Sequence, residues 1–290
     1  MERIGNTELI LNPDGSVYHL NLLPEHISQD VIFVGDPKRV GTIARYFDKV
    51  EFETQKREFR SIVGSYGNKR FTVISTGIGP DNIDIALNEL DALVNIDLQT
   101  RTVKKELTSL RIIRIGTSGS LQKDIPVDSI VMGKFGIGFD GLLHFYDADK
   151  IFETEMEDAF IRHASYPKNM ARPYIVQNDC ELAQMLDSEE IYSGITATTG
   201  GFYGPQGRML RLPVADTDMN DKIESFCFAE HRITNMEMET SAIYGLSKLL
   251  GHKAVSMNAI IGNRVDQTFT KDPYAAVEKL IQYSLDKLRA

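Results

Sequence analysis

Val31-Ile32-Phe33-Val34-Gly35-Asp36-Pro37-Lys38-Arg39 is an apolar, β-branched run that stops at a glycine and leads into Val40, Ile43, Ala44 and Phe47 at helical spacing. It reads as a buried strand, a Gly turn and a helix. Backbone N–H groups at such a junction suit an anion, and Arg39 adds a forked donor for phosphate; a plain strand–turn–helix with a solvated Arg fits the same residues. The alternation continues along the chain. Phe71–Ser75, Arg111–Ile115, Ser129–Gly133 and Ala254–Ile261 read as strands. Ile83, Leu87, Leu90 and Val94 share a helix face behind a cap at Asp81 or Asn82. Another helix runs from about Met238 to Leu250 and stops at Gly251. Asp272-Pro273 opens a last helix with Val277, Leu280, Ile281, Leu285 and Leu288 on one face. This predicts the α/β class: a single domain over residues 1–290, with a central mixed β-sheet flanked by helices. The polar stretch Ile151–Arg172 reads as an irregular surface excursion, and the charged stretch Asp97–Ser109 as lying outside the core.

Composition narrows the function classes. Thirty-two Lys and Arg against 41 Asp and Glu give a net charge of −9, which argues against sequence-independent nucleic-acid binding but not against a small anion held by a few converging arginines. Cys180 and Cys227, the two cysteines, lack zinc-type spacing and are far apart, so neither a disulfide framework nor a cysteine metal site is expected. The N-terminal Met1–Asn6 has no apolar signal region, and no later segment is apolar enough to span a bilayer. A reducing, cytoplasmic setting without membrane contact is the expectation.

Four further stretches can carry chemistry. In Arg111-Ile112-Ile113-Arg114-Ile115-Gly116-Thr117-Ser118-Gly119-Ser120 a charge sits inside an apolar strand and needs a partner. That partner is either a phosphate, approached also by Thr117, or an internal carboxylate. Asn235-Met236-Glu237-Met238-Glu239-Thr240 places two carboxylates at a helix start, suited to a ribose diol or to the helix dipole. Thr54–Phe59 puts Arg57 beside Glu58, either as a site element or as a solvated strand edge. Phe202-Tyr203-Gly204-Pro205-Gln206-Gly207-Arg208 combines a ring face, an amide that donates and accepts, and a guanidinium that only donates. That mix fits the edge of a pyrimidine such as uracil, although an exposed turn has the same composition. Gly136–Gly141 matches G-x-G-x-x-G, but no convincing amphipathic helix follows, so a dinucleotide site is not expected. There is no H-E-x-x-H, P-loop or G-x-S-x-G.

In order and spacing these motifs resemble the nucleoside phosphorylase family of the uridine phosphorylase and hexameric purine nucleoside phosphorylase type. G-D-P-x-R falls on Gly35–Arg39, R-I-G-T-x-G on Arg114–Gly119 and M-E-x-E on Met236–Glu239, and the likeness runs from Val17-Tyr18-His19-Leu20 to Ile260–Arg264. The resemblance implies a nucleoside phosphorylase-like fold and the following site. Gly35, Arg39, Arg114 and Thr117 would bind phosphate, with Arg57 from a neighbouring subunit. Met238 and Glu239 would hold the ribose with Glu237 beside them, His19 would reach the 5′-OH across a dimer interface, and Phe202 would pack on base or sugar. Two places look like the uridine branch. The F-Y-x-x-Q-x-R run puts uracil recognition on Gln206 and Arg208, and Asn263 stands where purine enzymes present an acid. The implied reaction is reversible phosphorolysis of uridine to uracil and ribose 1-phosphate in pyrimidine salvage and catabolism. Arg208, Gln206 and Arg114 would be its catalytic groups, and a homo-oligomer would share the sites. Phosphate is a co-substrate, and neither cofactor nor metal is required. Some relatives place a monovalent cation at the subunit interface, using the acid and Ile that correspond to Glu58 and Ile78 together with a Ser. The loop here reads Gly77-Ile78-Gly79-Pro80-Asp81-Asn82, one residue shorter than G-I-G-G-P-S and with an acid, which counts against that ion. A purine phosphorylase, a nucleosidase and a silent nucleoside-binding protein on the same fold are the alternatives.

Overall fold

The computed structural model describes residues 2–289; Met1, where the N-terminal stretch read above begins, and Ala290 lie outside the described residues. In chain order the elements are β1 (Asp30–Val34), α1 (Pro37–Ala44), β2 (Lys49–Lys56), β3 (Phe59–Tyr66), β4 (Lys69–Ser75), α2 (Pro80–Asn95), β5 (Ile96–Asp97), β6 (Thr102–Val103), β7 (Arg111–Ser120), β8 (Ile130–Gly138), α3 (Thr154–Ala164), β9 (Tyr174–Gln177), α4 (Cys180–Leu186), β10 (Ile191–Thr198), α5 (Met219–Ser225), β11 (Cys227–Phe228), β12 (His231–Glu237), α6 (Thr240–Leu250), β13 (Lys253–Asn263), β14 (Thr268–Phe269) and α7 (Pro273–Arg289). Strand β1 is buried along its whole length, and its alternate side chains feed two cores. Val31 and Phe33 join Ile83, Leu87 and Leu90 of α2 and Ala242, Ile243 and Leu246 of α6. Ile32 and Val34 join Val40 and Ile43 of α1 and Leu280, Ile281 and Leu285 of α7. Two-sided burial of a near-continuous apolar strand is what parallel sheets between helical layers require. Each of those fully buried α7 side chains contributes about 1.5–3 kcal/mol.

The main sheet has twelve strands along the path β11-β12-β10-β8-β13-β7-β1-β4-β3-β2, with β14 beside β13 and β9 beside β8. It is mixed: β1 pairs parallel with β4 and β7, and β7 parallel with β13, while β8 runs antiparallel to β13. Strand β12 also pairs with β7, through Asn235 with Ser120 and Met236 with Gly119, so β12, β10, β8, β13 and β7 close into a ring. The carboxyl ends of β1, β7, β12 and β13 meet on one side, the place where open α/β sheets hold ligands.

Three readings need correction. The polar stretch Ile151–Arg172 is not irregular: it contains α3, whose Met156, Phe160 and Ala164 enter a third core at a spacing of four. Helix α2 is capped by neither Asp81 nor Asn82. Its cap is Gly79, two residues before Asp81 and at φ 100°, with Pro80 at the first helical position, and the Gly79 N–H donates to Glu239 Oε1 at 2.8 Å. Helix α6 starts at Thr240 rather than Met238, because Glu237 still belongs to β12. Other readings match. Asp97–Ser109 is largely exposed. Gly251 closes α6 at φ 79°, and the Asp272 carboxylate accepts from the backbone N–H groups of Tyr274 and Ala275 at the start of α7. After Gly141 only the single 3-10 turn Leu142–Phe145 forms, and Gly136 serves packing, since a Cβ there would lie 2.8 Å from Ser241 Cα at the start of α6. Cys180 and Cys227 are exposed and unbridged, and no helix among the described residues is long and apolar enough to cross a membrane.

Candidate active site

The strand ends enclose a cleft of about 1080 Å³. Gly35, Arg39, Arg114, Thr117, Phe202, Gln206, Arg208, Glu237, Met238 and Glu239, drawn from four separated stretches of sequence, all line it. Arg57 and His19 do not. Arg57 is exposed at the turn between β2 and β3, at φ 54°, directly before Glu58, which does reach the cleft. His19 packs against α2, its Nδ1 2.6 Å from Glu89 Oε1.

One end of the cleft is cationic. Asp36 caps α1 by accepting from Lys38 N at 2.8 Å, which orients the first turn with Arg39 on its inner side. Arg39 Nη1 donates to Ile115 O at 3.1 Å. Burial, and then the charge of Arg114, pull its pKa down to about 10, so it remains charged at neutral pH. Arg114 is buried on β7. Its Nη1 donates to Asn258 Oδ1 at 2.7 Å, and its Nη2 pairs with Glu239 Oε2 and lies 3.2 Å from Glu237 Oε2. Burial opposes its charge, but Glu237 and Glu239 outweigh that and hold it above the usual arginine range. Of the two partners read from the sequence, the internal carboxylates are present, and Arg114 also lines the cleft.

The two acids differ in kind. Glu237 Oε1 accepts from Thr198 Oγ1 at 2.7 Å and from Thr240 N at 3.1 Å, while Oε2 accepts from Glu239 N at 2.9 Å. It caps α6, with its carboxylate on the positive end of the helix dipole. Glu239 makes fewer bonds, to Gly79 N and Arg114. Burial, and then the nearby Glu237 charge, raise its pKa, against the pull of Arg114 and Gly79 N. Of the pair, Glu239 has the spare acceptor capacity a vicinal diol needs.

The Phe202–Arg208 run lines another part of the cleft. Gln206 is buried, and its Nε2 donates to Thr199 Oγ1 at 3.0 Å while its Oε1 accepts from Arg208 Nη1. Arg208 also donates to Phe202 O at 2.7 Å, and its guanidinium carbon lies 3.8 Å from the Phe202 ring centroid. Burial lowers its pKa. Phe202, half exposed, forms the mouth with Ile78 and Phe269.

Arg264 was missed as a site residue. Its Nη2 donates to Gln206 O at 2.6 Å, and its pKa is lowered by burial first and then by Arg208. The adjacent Asn263 lines the cleft, yet its amide is consumed within the chain: Nδ2 donates to Gln122 O and Ile125 O, and Oδ1 accepts from Val265 N and Asp266 N. Strand β13 thus directs a permanent cation, which cannot serve as a proton donor, toward Gln206. The available signal was the Arg next to Asn263 in the Ile260–Arg264 run.

Relatives carry the same architecture. A uridine phosphorylase of Thermococcus kodakarensis is 26% identical over 281 residues, covering 93% of this chain and 86% of its own. A DeoD-type purine nucleoside phosphorylase of Bacillus subtilis is 25% identical over 240 residues, 82% of this chain and 84% of its own. The crystal structure of a Trypanosoma brucei nucleoside phosphorylase, described as showing uridine phosphorylase activity, is 29% identical with a TM-score of 0.87, over 97% of this chain and 99% of that one. Residues 29–287, from β1 through most of α7, match the phosphorylase superfamily, and with its motifs gathered on the strand ends this chain belongs to that family.

Proposed function

We propose that this protein is a uridine phosphorylase, a pentosyltransferase that converts uridine and phosphate reversibly to uracil and ribose 1-phosphate. The observation that carries the reading is that one cleft is lined by Arg39, Arg114 and Thr117, by Gln206 and Arg208, and by Met238 and Glu239. Hydrogen phosphate sits at the arginine end and its oxygen attacks C1′. The C1′–N1 bond breaks, its electron pair leaves with the base, and the proton of the phosphate ends on uracil. Positive charge that develops on the ribose lies between the phosphate and Glu239, while Arg208 and Gln206 stabilise charge on the departing carbonyls. No cofactor enters this reaction.

Uridine absorbance followed with and without phosphate tests it. Loss of uridine only with phosphate is expected, with inosine turned over far more slowly. Binding without turnover, phosphate-independent loss, or preferential use of inosine each overturns it in favour of a binding protein, a hydrolase or a purine enzyme.

The proposed enzyme acts in pyrimidine salvage in the cytoplasm, as a homo-oligomer in which a neighbouring copy supplies Arg57 and His19. The hairpin-tip position of Arg57, outside its own cleft, supports this. Mixing inactive His19→Ala protein with inactive Arg39→Ala protein is expected to regain activity, since the first retains Arg39 and the second lends His19. No recovery, with subunit exchange proven by mass spectrometry, rules out the shared site.

A further inference from the structure

An amide side chain has two chemically opposite ends, so what Gln206 reads depends on which end faces the ligand. Both ends are fixed. Thr199 is fully buried, and its Oγ1 lies 3.1 Å from Gly201 O and 3.4 Å from Glu237 O. Both are carbonyls that only accept, so one of them takes the hydroxyl proton, and toward Gln206 Nε2, 3.0 Å away, the hydroxyl oxygen can only accept. At the other end the Arg208 guanidinium, which only donates, faces Oε1. A reversed amide would set donor against donor at Arg208. It would also set a carbonyl oxygen against a hydroxyl oxygen whose proton is already used.

Resting on the reading of the cleft as a uridine site, we propose that Thr199 is a positioning residue for base choice: it holds Gln206 so that the acceptor oxygen Oε1 is presented to the ligand. Oε1 has a second lone pair beyond the one Arg208 uses. That lone pair accepts from a ring N–H flanked by two carbonyls, as at N3 of uracil. Cytosine presents a bare lone pair at the same place, so acceptor meets acceptor and a buried polar group is left unpaired, which is how a site rejects an analogue of nearly the same shape. When Arg208 turns to a base carbonyl, Thr199 is the end that still fixes the amide.

The test is the ratio of the cytidine Kd to the uridine Kd, measured by calorimetry without phosphate, so that it does not depend on turnover. The wild-type protein is expected to favour uridine strongly. Thr199→Val, close in shape but without the hydroxyl, is expected to lower the ratio at least about tenfold by freeing the amide to turn, and Thr199→Ser to restore it. A ratio unchanged in Thr199→Val overturns the proposal, as does a failure of Ser to restore it. If Val does not fold, Thr199→Ala takes its place. The wild type provides an independent check: cytidine binding within about threefold of uridine overturns the assignment whatever the variants do. Failure of the phosphate-dependent assay strikes the proposed activity and leaves this ratio readable.

Discussion

Gly116→Ala is expected to lower kcat/KM for phosphate by about 10²–10³-fold, although residue 116 contacts no substrate in the proposed reaction. The cause is space. The Arg114 guanidinium folds back along β7 over the Gly116 Cα, so a Cβ built there would fall inside the guanidinium group and lie 2.9 Å from Nη2. The register leaves no slack, because Gly116 stands opposite Asn258, whose Oδ1 holds Arg114 Nη1 at 2.7 Å from the neighbouring strand. One methyl therefore drives the cation away from Glu237, Glu239 and the cleft. Phosphate kinetics of Gly116→Ala, Arg114→Ala and the double variant decide the matter. If the methyl acts through Arg114, the double variant is no worse than Arg114→Ala alone. A wild-type phosphate KM in Gly116→Ala, or fully additive losses, removes this explanation.

That glycine also marks how much the sequence made legible. The strand ends could be read because β1, β7 and β13 are apolar runs broken by small residues, and the charges set into or just after them, Arg39 and Arg114, needed a reason to be there. The gathering of these separate stretches in one cleft follows from the α/β alternation. Other features depend on contacts distant in sequence. The ring made by β12 pairing with β7 sets Glu237 at a strand end, whereas local pattern reads a helix start. The polar face of α3 hides a core stripe that its neighbours at Phe226 and Tyr166 complete. At the end of β13 the sequence offers Asn263 and Arg264 side by side. Only the bonds of Asn263 to Gln122 and Ile125 reveal that Arg264 is the one turned toward Gln206.

Arg114→Met is expected to cost about 3–5 kcal/mol of stability at neutral pH, beyond any effect on phosphate, because it strips two buried carboxylates of their shared cation. The loss depends on pH with a defined sign. Glu239 already has a pKa raised by burial and by Glu237, and Arg114 is the charge that opposes the rise. Without it, the folded variant keeps the Glu239 proton to higher pH, while the unfolded chain releases it at the ordinary value. Over that window the native state binds more protons than the unfolded state, so stability falls as pH rises and recovers as pH falls. Urea unfolding at pH 8 and pH 5.5 is expected to show a deficit against wild type that narrows at the lower pH. Arg114→Met combined with Glu239→Gln, which removes both sides of the pair, is expected to regain part of the stability and to flatten the pH response. A deficit equal at the two pH values, or no gain from Glu239→Gln, would show that Glu239 does not depend on Arg114 to remain ionised, and that its readiness for a ribose diol has another source.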